Sequence, residues 1–310
     1  MRHLTKISDF SKKECEKIIE KSIEIKANKE EYYDVLRNKV LLMIFEKPSL
    51  RTRVSFETGM TQLGGHAIFY SLKDSPLGKK ENIHDTAKCA SRYTDLIAAR
   101  VFKREQIREL AKYSDVPVIN MLDDYAHPCQ ILSDFQTIKE KKGRLKDIKL
   151  SYFGDAKNNV TYDLMRISAL FGLTMDVACP DNEDYSPEKV VLDEILELSN
   201  TSGAKINVIH DAILAAKNSD IVYTDSWMSY GIPASEEEKR VKDFLPFQVN
   251  SKIMAVAKSH AIFMNCLPAM RGYEQTADVI DGPQSVVFDQ AENRLHVQKA
   301  IMLFLLNKLK

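Results

Sequence analysis

The sequence predicts an α/β protein of two doubly wound parallel-sheet domains linked by helices, with the C-terminal helix returning to the first domain. Three observations carry this expectation. Short apolar runs rich in β-branched residues recur along the chain with helical stretches between them. The runs are continuous rather than alternating, as strands buried on both faces of a parallel sheet require. They also fall into two series, separated by a charged stretch around Gly143, and a length of 310 residues suits two domains of ordinary size.

The elements follow in order. Ser11-Lys12-Lys13-Glu14 has the form of a capping box ahead of Ile18, Ile19 and Ile23, so a helix opens the chain. The first strand series is KVLLMIF (39–45), HAIFYSL (66–72), DLIAARVF (95–102) and PVINML (117–122). The helix-like SDFQTIKEKKGRLKDIK then places a domain boundary near residue 146, giving domains of 1–146 and 147–290. The second series is KLSYFGD (149–155), TMDVACP (174–180), AKINVIH (204–210), DIVYTD (220–225), AIFMNCLP (261–268) and SVVFDQ (285–290). The polar segment 232–244 reads either as a solvated helix or as a mobile loop over a binding site. The last stretch, 291–310, is strongly apolar and needs a partner surface, which the first domain supplies in this reading.

Composition excludes several classes. The 44 Lys and Arg balance 44 Asp and Glu, so no global field draws the chain to nucleic acid or an anionic membrane, and any bound anion must meet local charge. No signal-peptide stretch and no run of about 18 apolar residues is present, which reads as a cytoplasmic protein. Five scattered cysteines (Cys15, Cys89, Cys129, Cys179, Cys266) fit neither a disulfide framework nor a zinc knuckle, and most should be packed thiols.

Ligands of open α/β sheets bind beyond the carboxyl ends of the strands, so the residues after each strand are the place to look. After the first strand, Pro48, Ser49, Arg51, Thr52 and Arg53 sit at a helix start, where N–H groups, hydroxyls and guanidinium forks form an anion site. Arg100 closes the third strand. His127-Pro128-Cys129-Gln130 follows the fourth, offering a donor to a developing oxyanion and an amide for an amide-like substrate. Gly154 stands alone where a dinucleotide fingerprint would need three glycines, which disfavours a nicotinamide cofactor. Asp225, Ser229 and Cys266 lie at later strand ends, and Trp227 beside them reads as packing; Arg294 opens the last helix.

These residues carry a resemblance. Phe45-Glu46-Lys47-Pro48-Ser49-Leu50-Arg51-Thr52-Arg53, Gly78-Lys79-Lys80-Glu81, His127-Pro128-Cys129-Gln130, Gly154-Asp155-Ala156-Lys157-Asn158-Asn159, Cys266-Leu267-Pro268 and Glu292-Asn293-Arg294 resemble, in order, the motifs of the ornithine carbamoyltransferases. The resemblance spans nearly the whole chain. It implies carbamoyl transfer from carbamoyl phosphate to the side-chain amine of L-ornithine, giving L-citrulline and phosphate, in a homotrimer without cofactor or metal. By the same resemblance, Ser49, Leu50, Arg51, Thr52, Arg100, His127, Gln130, Cys266, Leu267 and Arg294 would hold carbamoyl phosphate, with Arg100, His127, Cys266 and Arg294 as the catalytic set. Asn159, Asp225, Ser229 and Tyr230 would hold ornithine. A free alkyl amine has a pKa of ~10.4, so roughly one in a thousand is nucleophilic at neutral pH, and the site must favour the neutral form. The leaving phosphate is the expected proton acceptor.

Three positions depart from the family's pattern. Asn265 stands where the pattern has His before Cys-Leu-Pro, Tyr230 replaces the Met of an S-M-G turn, and Pro76 replaces a Gln or His in a loop that reaches a neighbouring subunit. Glu236-Glu237-Glu238 is similar to putrescine carbamoyltransferase, whereas Ser229 and Gly231 point to ornithine. A relative acting on putrescine or another amine, or an inactive homologue, is the alternative.

Overall fold

The computed structural model describes residues 1–72, 81–229 and 231–309. Pro76, Gly78, Lys79, Lys80 and Tyr230 therefore lie outside the described residues. The chain divides into two units, Met1–Glu140 with Glu292–Lys310, and Lys141–Ala291.

In the first unit the chain runs α1 (Lys12–Ala27), β1 (Val40–Phe45), α2 (Leu50–Gln62), β2 (His66–Ser71), α3 (Ile83–Tyr93), β3 (Leu96–Arg100), α4 (Arg104–Tyr113), β4 (Val118–Leu122) and α5 (Pro128–Lys142), the last ending just past the unit boundary. The capping box is present at α1: Ser11 Oγ accepts the Glu14 N–H while the Glu14 carboxylate accepts the Ser11 N–H at 2.9 Å. The strands form one parallel sheet in the order β2-β1-β3-β4. Ile44, Ile97, Ala99, Ile107, Leu110 and Val118 form a buried cluster where α3 and α4 cover this sheet. Each large aliphatic side chain fully buried there contributes ~2 kcal/mol.

The second unit runs β5 (Lys149–Phe153), α6 (Asn159–Phe171), β6 (Thr174–Ala178), α7 (Lys189–Ser202), β7 (Lys205–Ile209), α8 (Ala212–Ala216), β8 (Ile221–Thr224), α9 (Glu237–Phe244), α10 (Ser251–Val256), β9 (Ile262–Asn265) and α11 (Ala277–Ile280). Its sheet is also parallel, in the order β7-β6-β5-β8-β9. Phe153, Val222, Phe247, Ile253 and Phe263 are packed in its core.

One expected strand is absent. Of 285–290, only Ser285 bridges β9, at Phe263, and the chain then enters α12 (Val287–Leu305). The Val286-Val287-Phe288 run is too short for periodicity to tell a buried strand from a buried helix start. Arg294 consequently lies about two turns inside α12 rather than at its opening. Beyond Glu292 this helix belongs to the first unit, where Leu295, Lys299 and Met302 lie over Gly59 of α2, and Phe304 meets Phe10 at a ring separation of 5.1 Å.

Candidate active site

In each sheet the strand order reverses once, between β1 and β3 in the first unit and between β5 and β8 in the second. Crevices beyond the carboxyl ends at such reversals are where open α/β sheets bind ligands. Of the sequence-predicted residues, Ser49, Leu50, Arg51, Thr52 and Arg100 follow or end β1 and β3, Asn159 and Asp225 follow β5 and β8, and His127 and Cys266 follow the neighbouring β4 and β9.

In the first unit the ends of β1 and β3 are tied together. The Glu46 N–H donates to the Arg100 carbonyl at 2.9 Å, and the Glu46 carboxylate accepts the Phe102 N–H at 2.7 Å. Ser49, in extended backbone, caps α2 and accepts the Thr52 N–H at 3.3 Å. The first-turn N–H groups of α2 have no intrahelical acceptor and carry the positive end of the dipole. Leu50 projects into solvent, Arg51 is half-buried and Thr52 is buried. Arg53 turns away from this cluster, pairing with Glu57 at 2.9 Å and lying over the Phe69 ring.

The loop after β4 is fixed by Asp123, whose Oδ1 accepts the N–H groups of Tyr125 and Ala126 at 2.7 Å. Pro128 then opens α5 where its missing N–H costs nothing, leaving His127 just before the helix and Gln130 on its first turn. Gln130 Nε2 donates to Asp134 Oδ1 at 2.8 Å, and its Oε1 accepts from Arg294 Nη1. Arg294 Nη2 donates to Thr52 Oγ1 at 3.1 Å. Arg100, His127, Gln130 and Arg294 are all buried.

Burial, and then the charges of Arg294, Arg100, Lys47 and Arg51 in that order, holds the His127 imidazole well below its ordinary pKa. At neutral pH it is a neutral ring, able to donate one hydrogen bond. Lys47 is likewise buried and is lowered to about 8, by burial first and the Arg100 charge second. Four cations thus act on His127 in a chain with no net charge.

In the second unit, Gly154 has φ of +122°, and a Cβ there would sit 3.2 Å from Trp227 Nε1, so the β5 turn requires glycine. Asn158 caps α6, accepting the Thr161 N–H at 2.8 Å, and Asn159 begins the helix half-buried. Asp225 Oδ1 accepts the Ser226 N–H at 2.8 Å and the Cys266 thiol at 3.0 Å, which brings together the ends of β8 and β9. Ser229 and Leu267 are half-buried nearby in sequence, and Leu267 has a left-handed φ of +56°. Trp227 is buried against Phe244 and Tyr273, a packing role.

Segment 232–244 begins as an exposed turn and ends in the anchored helix α9. Arg240 and Phe244 of α9 are buried, and Arg240 donates to the Trp227 carbonyl at 2.7 Å and to the Asp155 carboxylate. None of the five cysteines is in a disulfide, and Cys15, Cys129 and Cys179 are buried. Asp134 and Gln275 escaped the sequence reading, and Lys47 entered it only within the run Phe45–Arg53, with no role of its own. Asp134 could have been found from its spacing of four from Gln130. Gln275 gives no such signal.

The carbamoyl-phosphate-binding domain model of the aspartate/ornithine carbamoyltransferases matches residues 2–140, and their Asp/Orn-binding domain model matches residues 146–305. The chain belongs to the aspartate/ornithine carbamoyltransferase family. An ornithine carbamoyltransferase of Thermococcus kodakarensis is 48% identical over 306 residues, covering 98% of this chain and 96% of the relative. One from Methanocaldococcus jannaschii is 47% identical over 307 residues, covering 99% of each. The solved ornithine transcarbamoylase of Giardia lamblia is 46% identical, covers 100% of this chain and 99% of its own, and superposes with a TM-score of 0.92. Among the described residues no helix is long and apolar enough to cross a membrane.

Proposed function

We propose that this chain transfers the carbamoyl group of carbamoyl phosphate to the side-chain amine of L-ornithine, releasing L-citrulline and phosphate. The observation that carries the reading is the cationic cluster around neutral His127, in which Arg294 joins Thr52 and Gln130. A dianionic phosphate and a carbonyl oxygen that gains negative charge both demand such a cluster.

In this reading Ser49, Leu50, Arg51 and Thr52, at the α2 start, cradle the phosphate. Arg100 and His127 polarise the carbonyl oxygen. Arg294, oriented by Gln130, stabilises the tetrahedral intermediate, and Gln130 keeps one Nε2 hydrogen for the carbamoyl group. Asn159, Asp225, Ser229 and Tyr230 hold ornithine, and Cys266 with the Leu267 carbonyl meets the reacting amine. The amine nitrogen attacks the carbonyl carbon, the C–O bond to phosphate breaks, and the phosphate leaves with a proton from the amine. The Asp225–Cys266 contact is the candidate for selecting the neutral amine, and if Cys266→Ala and Asp225→Ala leave the pH dependence of turnover unchanged, that role is wrong.

The working form proposed is a homotrimer in the cytoplasm, whose mass by light scattering should be three times the 35.4 kDa chain. The deciding experiment mixes purified protein with carbamoyl phosphate and either L-ornithine or putrescine, following phosphate and the carbamoylated product. Ornithine should be turned over far faster. A preference for putrescine overturns the substrate assignment, and no release with either amine identifies an inactive homologue.

A further inference from the structure

We propose that Asn265 and Gln275 form a clamp that positions the Cys266–Leu267 turn, and that this buried amide pair sets turnover of the amine substrate; the kinetic half rests on the proposed role of Cys266 and Leu267. Asn265 and Gln275 are both fully buried. Asn265 Oδ1 accepts the Leu267 N–H at 2.7 Å, and its Nδ2 donates to Gln275 Oε1 at 3.0 Å. Gln275 Nε2 then donates to the Met270 carbonyl at 3.1 Å.

The relay begins on a backbone donor and ends on a backbone acceptor, so each amide can be oriented in only one way. Turning either side chain over would set two acceptors or two donors against each other in a buried place. Two amides therefore grip the loop at Leu267 and Met270. The clamp is itself fixed from both sides. Glu274 and Thr276 pair with Val249 through its N–H and carbonyl, each at 3.0 Å, and the Asn265 N–H donates to Gln290 Oε1 at 3.0 Å. Gln290 Nε2 in turn donates to Tyr223 OH at 3.2 Å.

What the clamp holds is costly backbone. Leu267 adopts a left-handed φ of +56°, which a leucine keeps only where its surroundings enforce it. The adjacent Cys266 thiol donates to Asp225 at 3.0 Å, so its direction depends on the same turn. Asn265 and Gln275 act through Cys266 and Leu267; they are positioning residues.

The test uses the full chain carrying Cys89→Ser, which removes the one exposed thiol, in four forms: the parent, Asn265→Ala, Gln275→Leu and the double variant. Cys266 is followed by its iodoacetamide alkylation rate across pH, and catalysis by kcat and KM for ornithine at saturating carbamoyl phosphate. Each single variant should alkylate faster and lose about 10-fold or more in kcat/KM for ornithine, with the double variant no worse than Asn265→Ala, because partners in one contact are not additive. The KM for carbamoyl phosphate should rise less than kcat/KM for ornithine falls, since the residues proposed to hold its phosphate, Ser49, Arg51 and Thr52, lie outside the clamp. Unchanged alkylation, or losses that add in the double variant, overturns the clamp. Should Asn265→Ala fail to fold, Gln275→Leu decides alone by the same readouts. If the parent does not carbamoylate ornithine, the functional reading fails while the alkylation rates still test the clamp.

Discussion

Arg294 Nη2 reaches Thr52 Oγ1 at 3.1 Å across 242 residues of sequence, and the same guanidinium donates to Gln130. One planar fork thus joins the start of α2, the first turn of α5 and the interior of α12. The C-terminal helix thereby brings a guanidinium to the start of α2.

Replacing Arg294 by Lys keeps the charge and loses the fork, because an ammonium is a point donor that cannot span both partners. The expected result is a kcat/KM for carbamoyl phosphate about 10²-fold lower, as when one oxyanion donor is removed, with a lowered melting temperature because a buried acceptor loses its partner. Steady-state kinetics with phosphate release checks this. Wild-type kcat/KM in the variant would exclude Arg294 from the site.

His296 of α12 is buried, and burial followed by the Lys299 charge lowers its pKa to about 4. The unfolded chain binds a proton near pH 6.5 that the folded chain refuses, so stability falls as pH drops below about 6.5, by about 3 kcal/mol once below 4. His296→Leu should flatten the fall in melting temperature between pH 7.5 and 5, measured by circular dichroism. His127 contributes in the same direction. An equally steep fall in the variant refutes the assignment.

Glu274 shows the opposite sign. Its carboxyl is buried, accepts the Met270 N–H at 2.7 Å and is raised to about 7, by burial first and least by the Asp225 charge. The folded chain holds a proton that the unfolded chain loses near pH 4.5, so stability falls as pH rises to about 7, by about 3 kcal/mol in all. Glu274→Gln should therefore melt above wild type at pH 8 and level with it at pH 5. Trp227, the one tryptophan, reports this from the same unit.

The Arg240–Asp155 pair is buried on both sides. Arg240→Ala leaves a carboxylate in the interior and should cost about 3–5 kcal/mol, because desolvation is then uncompensated. Arg240→Met with Asp155→Asn should cost less than the single change. Urea unfolding followed by Trp227 fluorescence distinguishes the two, and equal losses would place the pair in solvent.

The α/β class, nine of ten strand runs and the helix starts at Ser11 and Ser49 were legible in sequence, because continuous apolar runs and helix-start motifs are local signals. Ser11, Ser49 and Asn158 all act within three residues of themselves. Periodicity could not separate Ser285–Gln290 from a strand, since the short apolar run Val286–Phe288 fits either state. Tertiary structure alone decided which polar side chains meet. It turned Arg53 out to Glu57, gave Gln130 to Arg294, anchored α9 through Arg240, and closed Asn265 on Gln275. A buried amide or guanidinium must find partners wherever the fold brings them, and those partners lie up to 242 residues away, beyond the reach of any local pattern.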